Sequence, residues 1–280
     1  MKKILFVIGS FLSLSAMAQV KMPAASPAQT LTQEFALGKI EIVYSRPSLK
    51  GRSVFGTGSL LAPIGDVWRT GANGATKLTF SDPVNIGNKT IPAGSYGLFT
   101  IPGVSEWTII INTNSKGWGS FDYKEAEDVV RFKVAPVNTG SSTETFTIGI
   151  DDITAQTATI YLNWGKTKVN IPISTDIKPA VRAQIEAATT AATVNPNVYQ
   201  SAATFYLELD HDYNKALMYA DKAIAANANA YWLHLLKAKI QVALKDKKGA
   251  KASAETCKQM ATEAKNMDYV RSADEILKSL

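Results

Sequence analysis

The stretch FTIGIDDITAQTATIYLNWGKTKVNIPI, residues 146–173, shows the pattern on which the fold of the chain depends. Apolar side chains stand at every second position, first at Phe146, Ile148 and Ile150, and then from Ala158 through Ile160 and Leu162 to Trp164. A period of two is typical of a β-strand that buries one face. The Asn-Trp-Gly-Lys sequence at residues 163–166 predicts a turn that ends the second strand.

Similar short runs extend this pattern towards the N-terminus. They lie at residues 40–44, 77–80, 96–101, 108–111 and 129–134, with a further run at 168–173. Turn-rich sequences such as Ile-Gly-Asn-Lys at 86–89 separate them, and no helical pattern intervenes. We therefore expect eight or nine strands in an antiparallel sandwich, jelly roll or barrel, and not a parallel βαβ sheet.

The composition of the 280-residue chain changes near residue 177. Residues 19–178 contain 16 glycines and 12 alanines, whereas residues 179–280 contain 23 alanines and the single glycine Gly249. Glycine is frequent in β-turns and alanine is the best helix former. We therefore predict a β module over residues 19–176 and a helical module over residues 177–280.

The helical module contains an internal repeat. Ala216, Ala220 and Ala223 recur 34 residues later as Ala250, Ala254 and Cys257, and Tyr199 has its counterpart in Trp232. Thirty-four residues is the tetratricopeptide period. The region resembles about two tetratricopeptide helix pairs followed by a capping helix at residues 268–280. Because such repeats commonly present a concave surface, the resemblance implies a protein partner.

The first 18 residues read as a secretory signal peptide. Two lysines precede an apolar run, and the small-x-small sequence Ala16-Met17-Ala18 follows it, so we expect cleavage after Ala18. The apolar run is shorter than the roughly 20 residues that a membrane helix needs, and no later segment is long and apolar enough to span a bilayer. No cysteine stands at the cleavage point to carry a lipid. The sequence thus predicts a periplasmic or secreted protein without an integral membrane segment.

Charge and cysteine content exclude several classes of protein. The net charge is +6, or +4 once Lys2 and Lys3 are removed, and acidic residues are interspersed with the basic ones throughout. A nucleic-acid partner is therefore not expected, because it needs concentrated basic residues. The single cysteine, Cys257, can form no intramolecular disulfide, and we expect it to be a buried thiol.

A group of basic, glycine and asparagine residues forms the candidate ligand site. Three of the six arginines of the chain lie between residues 44 and 76. Arginine offers a planar set of donors suited to carboxylate or phosphate, so a small anionic or polyhydroxyl ligand is expected. Trp118, between two glycines, adds an aromatic side chain in a predicted loop. The candidate ligand-binding residues are Arg46, Lys50, Arg52, Arg69, Asn73 and Trp118. The alternative is that the three arginines pair with Asp66, Asp82 or Asp128 and fasten loops.

The sequence assigns no catalytic residue, metal site or cofactor. Both histidines, His211 and His234, fall in the helical module, so the β module lacks an imidazole for a catalytic triad or a zinc site. Carboxylates remain. The alternative hypothesis is therefore a hydrolase that uses a pair of carboxylates to act on glycan or another envelope polymer. The acids concerned are Asp66, Asp82, Asp122, Glu125, Glu127 and Asp128.

The motifs of the β module also resemble a known family. YSRPSLKGRSVFG at residues 44–56, WRTGANGAT at 68–76, IPAGSYGLFTIP at 91–102 and Gly-Trp-Gly at 117–119 are similar to domain-of-unknown-function family 2911. The resemblance covers about residues 20–173. It implies an exported bacterial β domain, often followed by helical repeats, with no established activity.

Overall fold

The computed structural model of the chain describes residues 22–56 and 58–280. The predicted signal peptide, residues 1–18, lies outside this part. The chain divides into two compact units, the first ending at Thr175 and the second beginning at Asp176. The first unit consists of strands and the second of helices, which confirms the predicted order of a β module followed by a helical module.

The β unit contains two antiparallel sheets. The larger sheet has the strand order β1-β2-β5-β8-β9-β10, the smaller has the order β11-β12-β6-β7, and β3 and β4 form a short parallel pair. The strands are β1 (Ala28–Phe35), β2 (Gly38–Ser45), β3 (Phe55–Gly56), β4 (Ala62–Pro63), β5 (Thr76–Phe80), β6 (Val84–Ile86), β7 (Lys89–Ile91), β8 (Gly94–Ile101), β9 (Trp107–Asn112), β10 (Asp128–Val134), β11 (Pro136–Asp151) and β12 (Thr157–Ser174).

One hydrophobic core joins the two sheets. It takes Ile42 and Ile109 from the larger sheet, and Ile160 and Trp164 from the smaller one, all at most 1% exposed. The two sheets thus pack face to face as a sandwich, and the alternation in the sequence marks the inward side chains. At the centre, the ring of Trp68 stacks on Trp164 at a centroid distance of 5.9 Å. Such aromatic pairs add to the stabilisation that burial provides.

The predicted turn at residues 163–166 is wrong, because β12 runs through it without a break. Gly165 has a φ of +57°, and the pairing with β11 changes register opposite this segment. The glycine therefore forms a bulge within a long strand. The indole of Trp164 fixes the strand in place, since it is buried and donates a hydrogen bond to the carbonyl of Glu144 at 3.1 Å.

The turn predicted at residues 86–89 is confirmed and joins β6 to β7. Gly87 and Asn88 have φ values of +57° and +61°, the left-handed conformation that a two-residue hairpin turn requires. The estimate of eight or nine strands was low. It did not include β1, which lies at the edge of the larger sheet, or the strands of two and three residues.

The helical unit consists of six helices. They are α1 (Lys178–Thr189), α2 (Asn197–Phe205, continued by a wider turn over Tyr206–Asp210), α3 (Tyr213–Ala226), α4 (Tyr231–Ala243), α5 (Lys247–Glu263) and α6 (Met267–Ser279). None of the helices in the described part of the chain is long and apolar enough to cross a membrane. The predicted capping helix at 268–280 corresponds to α6.

The 34-residue period is visible in the geometry of the helices. Asp212 and Asp246, 34 residues apart, each cap a helix by accepting a backbone N–H three residues ahead, at 3.1 and 2.9 Å. The preceding residues, His211 and Lys245, both end a helix in the left-handed conformation, with φ of +61° and +63°. The repeated small residues are buried at the contacts between helices: Ala216, Ala220 and Ala223 in α3, and Ala250, Ala254 and Cys257 in α5. The unit therefore repeats a helix–turn–helix.

Candidate functional site

The guanidinium group of Arg46 is bonded to the smaller sheet. Its Nε donates to the carbonyl of Phe146 at 3.0 Å, and its Nη2 donates to the hydroxyl of Thr147 at 2.8 Å. Arg46 belongs to residues 45–52, which we call the strap because they leave the larger sheet at β2 and run along β11. Arg46 thus connects the two sheets.

Lys50 and Arg52 lie at the end of the strap and are exposed. The backbone N–H of Lys50 donates to the carboxylate of Glu144 at 2.8 Å. The guanidinium of Arg52 donates to the carbonyls of Leu49 and Ser48, at 2.9 and 2.8 Å, and so closes the turn. Two of the three arginines therefore hold backbone carbonyls.

The alternative for the arginines is confirmed in part: Arg46 and Arg52 do fasten the strap, but through carbonyl and hydroxyl oxygens, and the predicted pairs with Asp66, Asp82 or Asp128 are wrong. Within residues 22–56 and 58–280, no salt bridge joins Arg46, Arg52 or Arg69 to a carboxylate. Asp128 pairs with Arg131 instead, at 2.9 Å. The physical reason is that other oxygen atoms already accept from the guanidinium groups, those of Phe146 and Thr147 on β11 for Arg46 and those of Leu49 and Ser48 for Arg52.

The other three candidates come together on two adjoining loops. We call residues 69–75 the arginine loop and residues 113–124 the aromatic loop. The N–H of Gly119 donates to the carbonyl of Asn73 at 3.0 Å, and the N–H of Ala75 donates to the carbonyl of Gly117 at 3.1 Å. Asn73, at a φ of +61°, also donates its side-chain amide to the hydroxyl of Ser45 at 3.2 Å. Arg69, Asn73 and Trp118 thus belong to one region.

Arg69 is the one of the three arginines whose guanidinium makes no hydrogen bond within the described residues. Its Nε is buried and has no hydrogen-bond partner in the part of the chain that the structure describes. A Cβ added to Gly119 would lie 2.8 Å from Nη1 of Arg69 and 3.0 Å from the ring of Phe121. The guanidinium and this ring therefore pack too closely against residue 119 for it to carry a side chain, and its φ of +72° also favours glycine.

The aromatic loop presents two large apolar side chains to solvent. Trp118 is 66% exposed and Phe121 is 87% exposed. The loop is held by its own polar bonds, since the side chain of Asn112 accepts the N–H of Asn114 at 2.8 Å and Asp122 accepts that of Trp118 at 3.4 Å. Adjacent exposed aromatic side chains on a fixed loop are typical of a binding surface. Phe121 was not among the candidates, because a single aromatic residue after Gly-Trp-Gly carries no signal of its own.

Five of the six candidate acids contact neighbouring protein groups, whereas Asp66 is exposed and makes no hydrogen bond or ion pair within the described residues. Asp128 accepts from the hydroxyl of Tyr123 at 2.8 Å and from the amide of Asn112 at 2.8 Å, in addition to its pair with Arg131. Burial and the bond to Asp128 raise the pKa of Tyr123 to about 12, so this phenol stays protonated and the network stays closed. Glu125 pairs with Arg131 and Glu127 with Lys124. These contacts give the paired-acid hydrolase hypothesis no support.

The titratable groups of the helical unit fit structural roles. Nδ1 of His211 lies 3.2 Å from the carbonyl of Leu207 at the end of α2, and burial lowers the pKa of His234. Cys257 is fully buried, as predicted, and burial raises the pKa of its thiol. Among the described residues, no group of three or more His, Cys, Asp or Glu side chains is arranged to hold a metal ion.

Fold and site together define a class of protein, an antiparallel two-sheet sandwich with an arginine beside exposed aromatic side chains, followed by repeated helix pairs. The family described as "Protein of unknown function (DUF2911)" matches residues 26–173, more than half of the chain. The chain therefore belongs to this family. No curated protein and no solved structure matches it.

Proposed function

We propose that this chain is an exported binding protein that holds a small anionic or polar ligand between the arginine loop and the aromatic loop. The observation that carries the proposal is the guanidinium of Arg69, whose buried Nε lacks a hydrogen-bond partner among the described residues. Export is supported by the signal-peptide pattern of residues 1–18.

The chemistry of Arg69 favours an anion. A buried donor without a partner costs roughly 1–3 kcal/mol, and more when the group is charged. A carboxylate or phosphate that accepts from the guanidinium of Arg69 forms charge-assisted hydrogen bonds. Arg46 and Arg52 differ from Arg69, because their guanidinium donors already bond to protein oxygen atoms.

The test compares two arginines. We expect citrate or inorganic phosphate to bind the mature chain, residues 19–280, and Arg69→Gln to weaken binding about 10-fold or more, since charge-assisted hydrogen bonds contribute about 1.5–3 kcal/mol. Isothermal titration calorimetry measures the affinity. Arg52→Gln is the matched control because it removes the same charge from an exposed arginine, and it should change the affinity less than two-fold. Equal losses in both variants, or no anion binding by the wild type, would contradict the proposal.

For the helical unit, we propose a tetratricopeptide-like array that binds a protein partner. The 34-residue spacing of the two capping aspartates, Asp212 and Asp246, supports the comparison, although Ala228 stands where the tetratricopeptide pattern has its terminal proline. On the first helices of the two pairs, Trp232 donates to the amide oxygen of Gln200 at 3.2 Å. Both side chains are exposed, so they are available to a partner on this face.

Site-specific cross-linking tests the helical face. We expect a benzoyl-phenylalanine at position 232 on α4, introduced in the cells that make the protein, to cross-link a discrete partner. The control is the same group at position 218 on α3, where Met218 is 43% exposed. Gel mobility and mass spectrometry identify the products. Identical products at both positions, or none at position 232, would contradict a partner on this face.

A further inference from the structure

We infer that strand β1 pairs with β1 of a second copy of this chain, so that the two larger sheets join into one continuous antiparallel sheet. Three features support this interface: the outward-facing backbone of β1, the protection of the other sheet edges, and the order of the side chains along the strand. The interface involves neither the arginine loop nor the aromatic loop, so it is independent of the proposed ligand site.

β1 ends the larger sheet, and half of its backbone groups point away from β2. Its eight residues pair with β2 without a register shift. Because the N–H of Arg46 donates to the carbonyl of Pro27, the alternation of an antiparallel ladder assigns the odd-numbered residues to the bonds with β2 and directs the even-numbered ones outward. Among the described residues, the side-chain amide of Gln33 makes the only hydrogen bond to these outer groups, at 3.0 Å to the carbonyl of Glu34. The outward residues are Ala28, Thr30, Thr32 and Glu34, and all are exposed.

The other three edges of the two main sheets carry features that hinder pairing with another chain. β7 is only three residues long, β10 has a register shift and the charged residues Arg131 and Lys133, and the strap covers β11 at residues 144–148. Short length, bulges, charged side chains and covering segments are the means by which proteins protect sheet edges. β1 has none of them, since it is eight residues long, contains no proline or bulge, and has Glu34 as its single charged residue. Such an open edge can accept a further strand.

The sequence of β1 suits an identical strand. A two-fold axis at Leu31 places Thr30 opposite Thr32 of the second copy. It also places Ala28 opposite Glu34, so that the four outward residues of each copy form about eight backbone hydrogen bonds, two for each of four pairs. Cross-strand threonine pairs stabilise a sheet. The two Glu34 carboxylates lie at opposite ends of this interface, about 20 Å apart, and their repulsion is screened.

The pairing produces a closed dimer. A two-fold axis uses the same surface of both copies, so the joined sheet ends at the β10 strand of each copy, and both of these edges are protected. Further copies therefore have no open edge of this sheet to join. A strand of another protein would use the same backbone groups, but it would gain nothing from the self-complementary order of the β1 side chains. We therefore assign the edge to a second copy.

Two double variants that differ only at residue 30 test the interface. In the inferred register, Thr30→Lys/Thr32→Lys places a lysine opposite a lysine, whereas Thr30→Glu/Thr32→Lys places a glutamate opposite a lysine. Sedimentation of the mature chain at low salt should show a dimer. The first variant should raise the dissociation constant at least about 10-fold, because like charges that face each other oppose binding. The second should keep it within about three-fold of the wild type, because opposite charges pair across strands.

The outcomes are distinct. A wild type that is monomeric at every concentration overturns the inference and leaves the edge to a strand of another protein. A dimer that the lysine–lysine variant leaves intact, or that both variants weaken equally, overturns it as well, because the contact then lies elsewhere or in another register. Circular dichroism confirms that each variant is folded. As a second test, Thr32→Pro removes an outward N–H and spares the bonds to β2, so it should abolish the dimer, whereas Thr32→Val should keep it. A dimer of Thr32→Pro as stable as the wild type would contradict the pairing.

Discussion

Replacing Tyr44 with phenylalanine is expected to lower the free energy of unfolding by about 2–4 kcal/mol. The hydroxyl of Tyr44 accepts the backbone N–H of Ile148 at 2.9 Å and lies within donor distance of the carbonyl of the same residue at 3.1 Å. Both side chains are 2% exposed, so the variant leaves the buried N–H of Ile148 without a partner, and it removes the hydroxyl hydrogen that the carbonyl of Ile148 shares with the side-chain oxygen of Gln29 at 3.0 Å. Tyr44 belongs to β2 and Ile148 to β11, and the bonds therefore join the two sheets.

The measurement is urea unfolding followed by tryptophan fluorescence. Tyr161→Phe on β12 is the matched control, because the Tyr161 hydroxyl has no hydrogen bond within the described residues and its loss should change stability by less than about 0.5 kcal/mol. Burial raises the pKa of Tyr44 above its ordinary value of 10. The folded state thus favours the neutral phenol, and the stability that this provides is complete below pH 10 and declines above it. A Tyr44→Phe variant as stable as Tyr161→Phe would show that the hydroxyl does not join the sheets.

Tyr44 and the strap also protect an edge strand from pairing with another chain. β11 ends the smaller sheet, and its outer backbone groups at residues 144, 146 and 148 would be free to pair with another chain. Instead, Leu49 donates to the carbonyl of Glu144 and Phe146 donates to that of Pro47, at 2.9 and 2.8 Å. The motif that the sequence singled out for ligand chemistry thus covers this edge at residues 144–148.

The division into strands and helices could be predicted because it depends on local composition and period. Glycine-rich turns and alternating apolar residues mark the β unit, and alanine-rich repeats mark the helices. The roles of the arginines could not be predicted in the same way. Arg46 bonds to Phe146, 100 residues away, and no local pattern reports such a contact. For Arg46, distance along the chain is the physical reason for the failure.

The break predicted at residues 163–166 failed for a related reason. Asn163 and Gly165, with only Trp164 between them, favour a turn in isolation. In the folded chain, burial of Trp164 against Trp68 outweighs that preference, and the glycine is used for a bulge. The candidate site could be predicted in part. Arg69, Asn73 and Trp118 could be selected by residue type, but the close packing of Arg69 and Phe121 against Gly119 arises only after two loops meet.

The second large effect is expected at Gly97 in β8, where the sheet supports the aromatic loop. A Cβ on this residue would lie 2.3 Å from the backbone carbonyl oxygen of Asn114 and 2.9 Å from the ring of Phe99. Backbone cannot rotate away as a side chain does, so the aromatic loop has to move as a whole. We expect Gly97→Ala to lower the free energy of unfolding by about 3 kcal/mol.

The same substitution should abolish ligand binding, because the loop that moves carries Trp118 and Phe121. Gly74→Ala is the matched control in the arginine loop, since its nearest neighbour would be the carbonyl of Gly117 at 3.7 Å, an ordinary contact. That variant should keep both stability and affinity. Urea unfolding and calorimetry with citrate measure the two effects on one sample. If Gly97→Ala bound citrate as the wild type does while being destabilised, the position of the aromatic loop would matter for folding alone, and Arg69 would bind anions without it.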